Sequence, residues 1–153
     1  MEARMKNPAL IVPGALQTLL ALGAQAKQAG VPETTLNLIY TRASQINGCG
    51  YCLAMHAREA KRAGERDERL FTLAGFREAP WFNPAERAAL ALTEAATRLA
   101  DRGDGVPDEI WREAREHYDE AQLAALILNI GLINFWNRLN VTTRQVAGTM
   151  VPH

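Results

Sequence analysis

The sequence predicts an all-α chain, a single bundle of about seven helices, with boundaries set by turn signals. Three observations carry this reading. Apolar residues recur at helical spacing in successive stretches, strand-type alternation never persists, and Gly, Pro and Asn punctuate the chain between the stretches. There is no internal repeat and no low-complexity tract.

The first stretch, Leu10 to Ala26, is mildly apolar, but Pro13, Gly14, Gln17, Gly23 and Gln25 interrupt it. It lacks the dense apolar block and small-residue cleavage site of an export signal, so the expected compartment is the cytoplasm. Gly30-Val31-Pro32 closes the stretch, and Glu33, Thr34 and Thr35 start a helix in which Leu36, Ile39, Tyr40 and Ala43 share a face. Asn47-Gly48 breaks that helix. A new one begins near Cys49, runs through His56 and Ala60, and stops near Gly64; a short one follows from about Asp67 to Ala74. Pro80 to Pro84 reads as a loop, with Asn83 as N-cap, Pro84 at the first helical position and Glu86 at the third. The Ala- and Leu-rich helix that follows reaches about Ala100. Asp101 to Pro107 is a connection, and Pro107 opens a helix ending near His117. Asp119 caps the last helix, which carries Leu123, Leu126, Ile127, Ile130 and Ile133. From Ala121 to Phe135 this helix is apolar on nearly all sides, which implies burial on nearly all sides, either in the centre of one chain or against another subunit of a homo-oligomer.

Composition narrows the function classes. With 153 residues the chain fits one domain, spanning 1–153. Seventeen basic and seventeen acidic side chains give no net charge, so neither a basic nucleic-acid face nor an acidic tail is expected. No apolar run is long enough to span a bilayer. In a reducing compartment, two cysteines three residues apart point to redox or metal chemistry rather than to a structural staple.

The chemistry concentrates in Cys49-Gly50-Tyr51-Cys52-Leu53-Ala54-Met55-His56. At about 100° per residue, Cys49, Cys52 and His56 fall within roughly 60° of arc on one helix face. Cys49 lies one turn before Cys52, in the first turn, where free N–H groups and the positive end of the helix dipole lower a thiol pKa. The imidazole sits one turn below Cys52 and can accept or relay a proton. Such a pair can cycle between dithiol and disulfide, one sulfur attacking an oxidised substrate and the other resolving the product. Spacing alone does not decide which sulfur attacks: the helix start favours Cys49, the neighbouring histidine favours Cys52. Zinc on Cys49, Cys52 and His56 is an alternative one ligand short of a structural site, with His117 and His153 isolated in sequence. Inert burial of the two thiols is another.

The segment from Arg42 to His56, with Ser44-x-x-Asn47-Gly48 ahead of Cys-x-x-Cys-x-x-x-His, resembles the AhpD-like alkylhydroperoxidases of the carboxymuconolactone decarboxylase superfamily. Glu86 to Ala95 and Asn134 to Asn140 are similar to that group more loosely. The resemblance implies an all-helical oligomer (dimer, trimer or hexamer) that reduces hydroperoxides, with electrons from an external thiol or dithiol and no metal or organic cofactor. It implies Cys52 as the peroxidatic cysteine, Cys49 as the resolving one and His56 as the proton relay. Two positions depart from the pattern. A glutamate expected twelve residues before the first cysteine is Asn37, and a histidine expected between the cysteines is Tyr51. An amide cannot take up a proton as a carboxylate does, so Glu94 and Glu86 are the candidates to fill that role. The decarboxylase branch of the superfamily is the competing enzymatic reading, and a redox-sensing or metal-holding helical module the non-enzymatic one.

Outside the motif, Trp81, Trp111 and Trp136 read as packing residues, with a substrate pocket as the lesser reading for Trp136. Asn134, Asn137, Arg138 and Asn140 form a polar cluster suited to helix-end carbonyls or a subunit interface. Lys61, Arg62 and Arg66, balanced by Glu59 and Glu65, read as solvated surface.

Overall fold

A computed structural model describes residues 1–101 and 103–149; Arg102 and 150–153, His153 included, lie outside the described residues. Among the described residues the chain is all-α, with helices α1 (Pro8–Ile11), α2 (Ala15–Ala26), α3 (Glu33–Ile46), α4 (Gly50–Arg62), α5 (Asp67–Thr72), α6 (Pro84–Thr97), α7 (Asp108–His117) and α8 (Glu120–Thr143). The additional helix relative to expectation is α1, a single turn that Asn7 caps by accepting the Ala9 N–H, with Pro8 at N1. A turn this short has no periodicity to read. The expected ends at Ala74 and Ala100 fall instead in 3₁₀ turns, Leu73–Gly75 and Leu99–Asp101, which follow α5 and α6.

The middle of the bundle is α3, packed against α4, α6 and α8. It serves two apolar clusters. Leu36 and Ile39 pack with Leu92, Leu126 and Ile130, while Leu38 packs with Leu73, Phe76, Phe82 and Leu90. Each fully buried Leu or Ile contributes roughly 1.5–3 kcal/mol of transfer free energy.

The starts of α6 and α8 are fixed by reciprocal capping boxes, Asn83 with Glu86 and Asp119 with Gln122. Along α8, Leu123, Leu126, Ile130 and Ile133 are buried. Ile127, Leu128 and Phe135 remain nearly half exposed, so a single chain does not bury α8 on all sides. The reason is positional: α2, α3, α4, α6 and α7 all pack on α8, but they leave one stripe of it open.

Candidate active site

Helix α3 ends in a Schellman turn. Asn47 is its C-cap, Gly48 follows at φ +65°, the Gly48 N–H bonds to Gln45 O at 3.3 Å, and the Cys49 N–H bonds to Ser44 O at 3.0 Å. Only a residue without a Cβ takes that left-handed position at no cost, which is the role of the Asn-Gly step in the motif. The turn delivers Cys49 in extended conformation as the N-cap of α4, where its sulfur accepts the Cys52 N–H at 3.3 Å. Cys49 and Cys52 are joined as a disulfide, with Cα atoms 5.3 Å apart, and both are essentially inaccessible. From α8, the side-chain amide of Asn140 donates to Cys52 Sγ at 3.3 Å.

One turn below, His56 is buried. Its Nδ1 lies 2.9 Å from Glu59 Oε2, and its Nε2 finds no hydrogen-bond partner among the described residues. A carboxylate only accepts, so the pairing puts the proton on Nδ1 and leaves Nε2 free to exchange one. The Glu59 carboxyl is held below its ordinary value, first by the hydrogen bond to His56 and then, against burial, by the charges of His56, Lys27 and Arg62. The ring of Tyr40 lies on His56 with centroids 5.1 Å apart, and its hydroxyl donates to Asn129 Oδ1 at 2.5 Å. Burial, reinforced by Glu59 and Glu33, pushes that hydroxyl well above the ordinary tyrosine value, so Tyr40 stays protonated.

Tyr40, His56, Glu59 and Asn140 face a cavity of about 730 Å³ that opens to solvent; the disulfide lies behind them and does not line it. Asn37, Tyr40, Tyr51, His56, Glu59 and Asn140 form the cavity's polar side, and Leu16, Leu19, Leu20, Met55, Leu132 and Trp136 its apolar side. Asn37 and Tyr51, the two departures from the motif, thus both line it.

Cys49, Cys52 and His56 follow one another along the first two turns of α4, while Glu94 and Glu86 lie on α6. Neither glutamate lines the cavity. Glu94 is committed to Arg42 (2.7 Å to Nε, 2.5 Å to Nη2) and to Arg77 (2.6 Å). Burial alone would raise its carboxyl, yet the two guanidinium groups hold it below its ordinary value. Glu86 closes the α6 capping box and pairs with Arg69 at 2.6 Å. Both serve the scaffold: a helical carboxylate inside a bundle goes to the nearest guanidinium.

Two site residues escaped the sequence reading. Glu59, assigned there to a solvated face, is half-exposed and bonded to His56. Its spacing of three from His56 on the cysteine-bearing face was the available signal. Glu65 likewise leaves the expected surface group, pairing with Arg69 at 2.8 Å as a buried carboxylate. Asn140 belongs to the polar cluster noted near the end of α8, but it turns inward to the sulfur, and Asn137 turns inward to Ser44 Oγ at 3.0 Å. No sequence signal assigns a buried asparagine to a particular partner. Among the described residues no group of three His, Cys, Asp or Glu side chains is arranged to hold a metal ion, and no helix is long and apolar enough to cross a membrane.

Fold and site together define an all-helical protein with a Cys-x-x-Cys disulfide at the head of a helix and an imidazole one turn below. Residues 13–95 match the model of the carboxymuconolactone decarboxylase family, and the chain belongs to that family. It is 38% identical over 131 residues to the uncharacterized protein YdfG of Bacillus subtilis, an alignment covering 86% of this chain and 88% of that one. A crystal structure from Agrobacterium tumefaciens, of a protein of unknown function provisionally assigned to AhpD antioxidant defence, superposes with a TM-score of 0.88 at 31% identity, covering 97% of this chain and 100% of the other. A peroxidase-related protein from Silicibacter shares the fold at 19% identity, with a TM-score of 0.76 over 88% of this chain and 71% of that one. The AhpD-like resemblance read from Arg42 to His56 is thereby borne out.

Proposed function

We propose that this protein is a thiol-dependent peroxidase that reduces organic hydroperoxides through Cys52 and Cys49. The Cys52 thiolate attacks the peroxide oxygen: an S–O bond forms, the O–O bond breaks, and the sulfur gives up two electrons. The departing alkoxide takes a proton relayed through His56 and leaves as the alcohol. Cys49 then attacks the sulfenic acid at Cys52; the S–S bond forms, the S–O bond breaks, and the hydroxyl leaves as water with the Cys49 proton. An external dithiol, or two monothiols, is oxidised to a disulfide and restores the pair.

The observation that carries this reading is the joined Cys49–Cys52 pair on the same helix as a buried His56, which is bonded to the half-exposed Glu59 and lines an open cavity. Glu59, not Glu94 or Glu86, supplies the carboxylate that Asn37 lacks. The apolar wall of the cavity favours an organic hydroperoxide over hydrogen peroxide. The protein works without a metal or organic cofactor, in the cytoplasm, where a thiol pool can reduce it. It works there as a homo-oligomer that covers the open stripe of Ile127, Leu128 and Phe135.

Mass spectrometry of the reduced protein after one equivalent of cumene hydroperoxide tests the scheme. The expected results are loss of two hydrogens in the parent and a trapped sulfenic acid at Cys52 in Cys49→Ser. Full peroxide consumption by Cys52→Ser overturns the assignment. Turnover of a muconolactone that survives alkylation of both cysteines would put a lyase in its place.

A further inference from the structure

Each sulfur of the pair receives one N–H. Cys49 receives it from the backbone of its own helix, at 3.3 Å from Cys52 N; Cys52 receives it from another helix, at 3.3 Å from Asn140 Nδ2. The N-cap position favours a thiolate on Cys49. Cys52 is fully buried, and burial without a donor would disfavour its thiolate. An asparagine amide has no titratable proton, so it offers its donor at every working pH.

We propose that Asn140 is a catalytic residue that makes Cys52 the attacking sulfur, and that Asn7 is the positioning residue that sets which end of the Asn140 amide faces it. The inference rests on the thiol chemistry proposed above and adds the groups that choose between the two sulfurs.

An amide could present either its N–H or its oxygen to the sulfur, and the choice here follows from the backbone. The Ala9 N–H can only donate, so Asn7 must turn its Oδ1 toward it, at 2.9 Å. That leaves Asn7 Nδ2 to donate to Asn140 Oδ1 at 2.8 Å, and so turns Asn140 Nδ2 to Cys52. A helix N–H at one end thereby fixes a donor at the other. The segment bearing Asn7 is pinned to the end of α8, with Arg4 N–H to Thr143 O at 2.8 Å and Gln145 Nε2 to Met5 O at 2.9 Å.

The same donor directs the reductive half of the cycle. When an external thiol attacks Cys49, a bond from its sulfur to Cys49 Sγ forms, the Cys49–Cys52 bond breaks, and the electron pair stays on Cys52. The Asn140 N–H stabilises that leaving thiolate. The donor's second thiol then attacks the donor sulfur in the mixed disulfide and frees Cys49.

The test is the pH dependence of iodoacetamide alkylation of the full chain in a Cys49→Ser background, which reads the Cys52 thiolate without using peroxide. Asn140→Ala is expected to raise the apparent pKa of Cys52 by about one unit, which slows alkylation near neutral pH up to about tenfold. Asn7→Ser keeps a capping oxygen, adds no charge and is too short to hold Asn140; it is expected to raise the pKa by a smaller amount. Mere loosening of the packing would expose the thiol and lower its pKa, the opposite sign. An unchanged or lowered pKa in Asn140→Ala overturns the proposal. A rise there with no change in Asn7→Ser retains Asn140 and overturns the role of Asn7. Should the parent consume no hydroperoxide while these shifts occur, the peroxidase reading fails and the assignment of Asn140 stands.

Discussion

The Glu59 carboxylate lies 2.9 Å from His56 Nδ1, one turn further along the helix that begins at the cysteine pair. The hydrogen bond fixes the imidazole tautomer and holds the carboxyl below its ordinary value. Above that value the carboxylate is ionised and the pair intact; protonation breaks it only as pH falls below the ordinary carboxylate range. Glu59→Gln is expected to reduce hydroperoxide turnover at neutral pH by about 10- to 100-fold. The ratio of parent to variant rates should shrink as pH falls below the ordinary carboxylate range and Glu59 takes up its proton. Steady-state rates from pH 3 to 8 check both expectations.

Gly23 on α2 faces the cavity's apolar side, and a Cβ there would meet Leu132 Cδ1 at 3.9 Å, an ordinary contact. Gly23→Leu is expected to fold, because it removes a glycine from a helix interior. It should lower kcat/KM for cumene hydroperoxide roughly tenfold and leave hydrogen peroxide turnover nearly unchanged, since bulk in an apolar pocket acts on the larger substrate. Parallel kinetics with the two peroxides measure the ratio.

Glu94 is a buried carboxylate between Arg42 and Arg77, held below its ordinary value in the folded state. A lowered folded pKa means that the stabilisation is complete above the unfolded value and lost as pH falls through the folded one. Glu94→Gln should therefore cost about 2–3 kcal/mol at pH 7, with the gap to the parent closing as pH falls below the ordinary carboxylate range. Urea midpoints across that range give the curve. Peroxide activity, corrected for the folded fraction, should not change.

Asn47 donates to Asn134 Oδ1 and Asn137 Oδ1, both at 2.9 Å, and Asn137 is fully buried. Asn47→Ala removes this donor from both carbonyls and is expected to cost about 2 kcal/mol, read from denaturant unfolding.

The sequence made the helices and the sulfur chemistry legible because both are local. Capping signals at Asn83 and Asp119, the Asn47-Gly48 break and the Cys49–Cys52–His56 stripe depend on residues a few positions apart. What stayed hidden depends on distant partners. Glu94 was a candidate relay until Arg42 and Arg77 claimed it; Glu59 is the exception, a local partner three residues from His56 whose spacing was readable. Asn140 carries no spacing rule that would direct it to a sulfur 88 residues away. The stripe left open on α8 is likewise a property of how few helices surround it, which no periodicity reveals.

The amide links from Asn47 to Asn134 and Asn137 span 87 and 90 residues of chain. During synthesis the cysteines therefore emerge long before the helix that governs them. For that interval the nascent chain carries two thiols at a helix start with none of the α8 asparagines in place. A cell making this protein must either keep the young thiols reduced or accept early pairing with the wrong sulfur, and only the arrival of the last third of the chain ends that exposure.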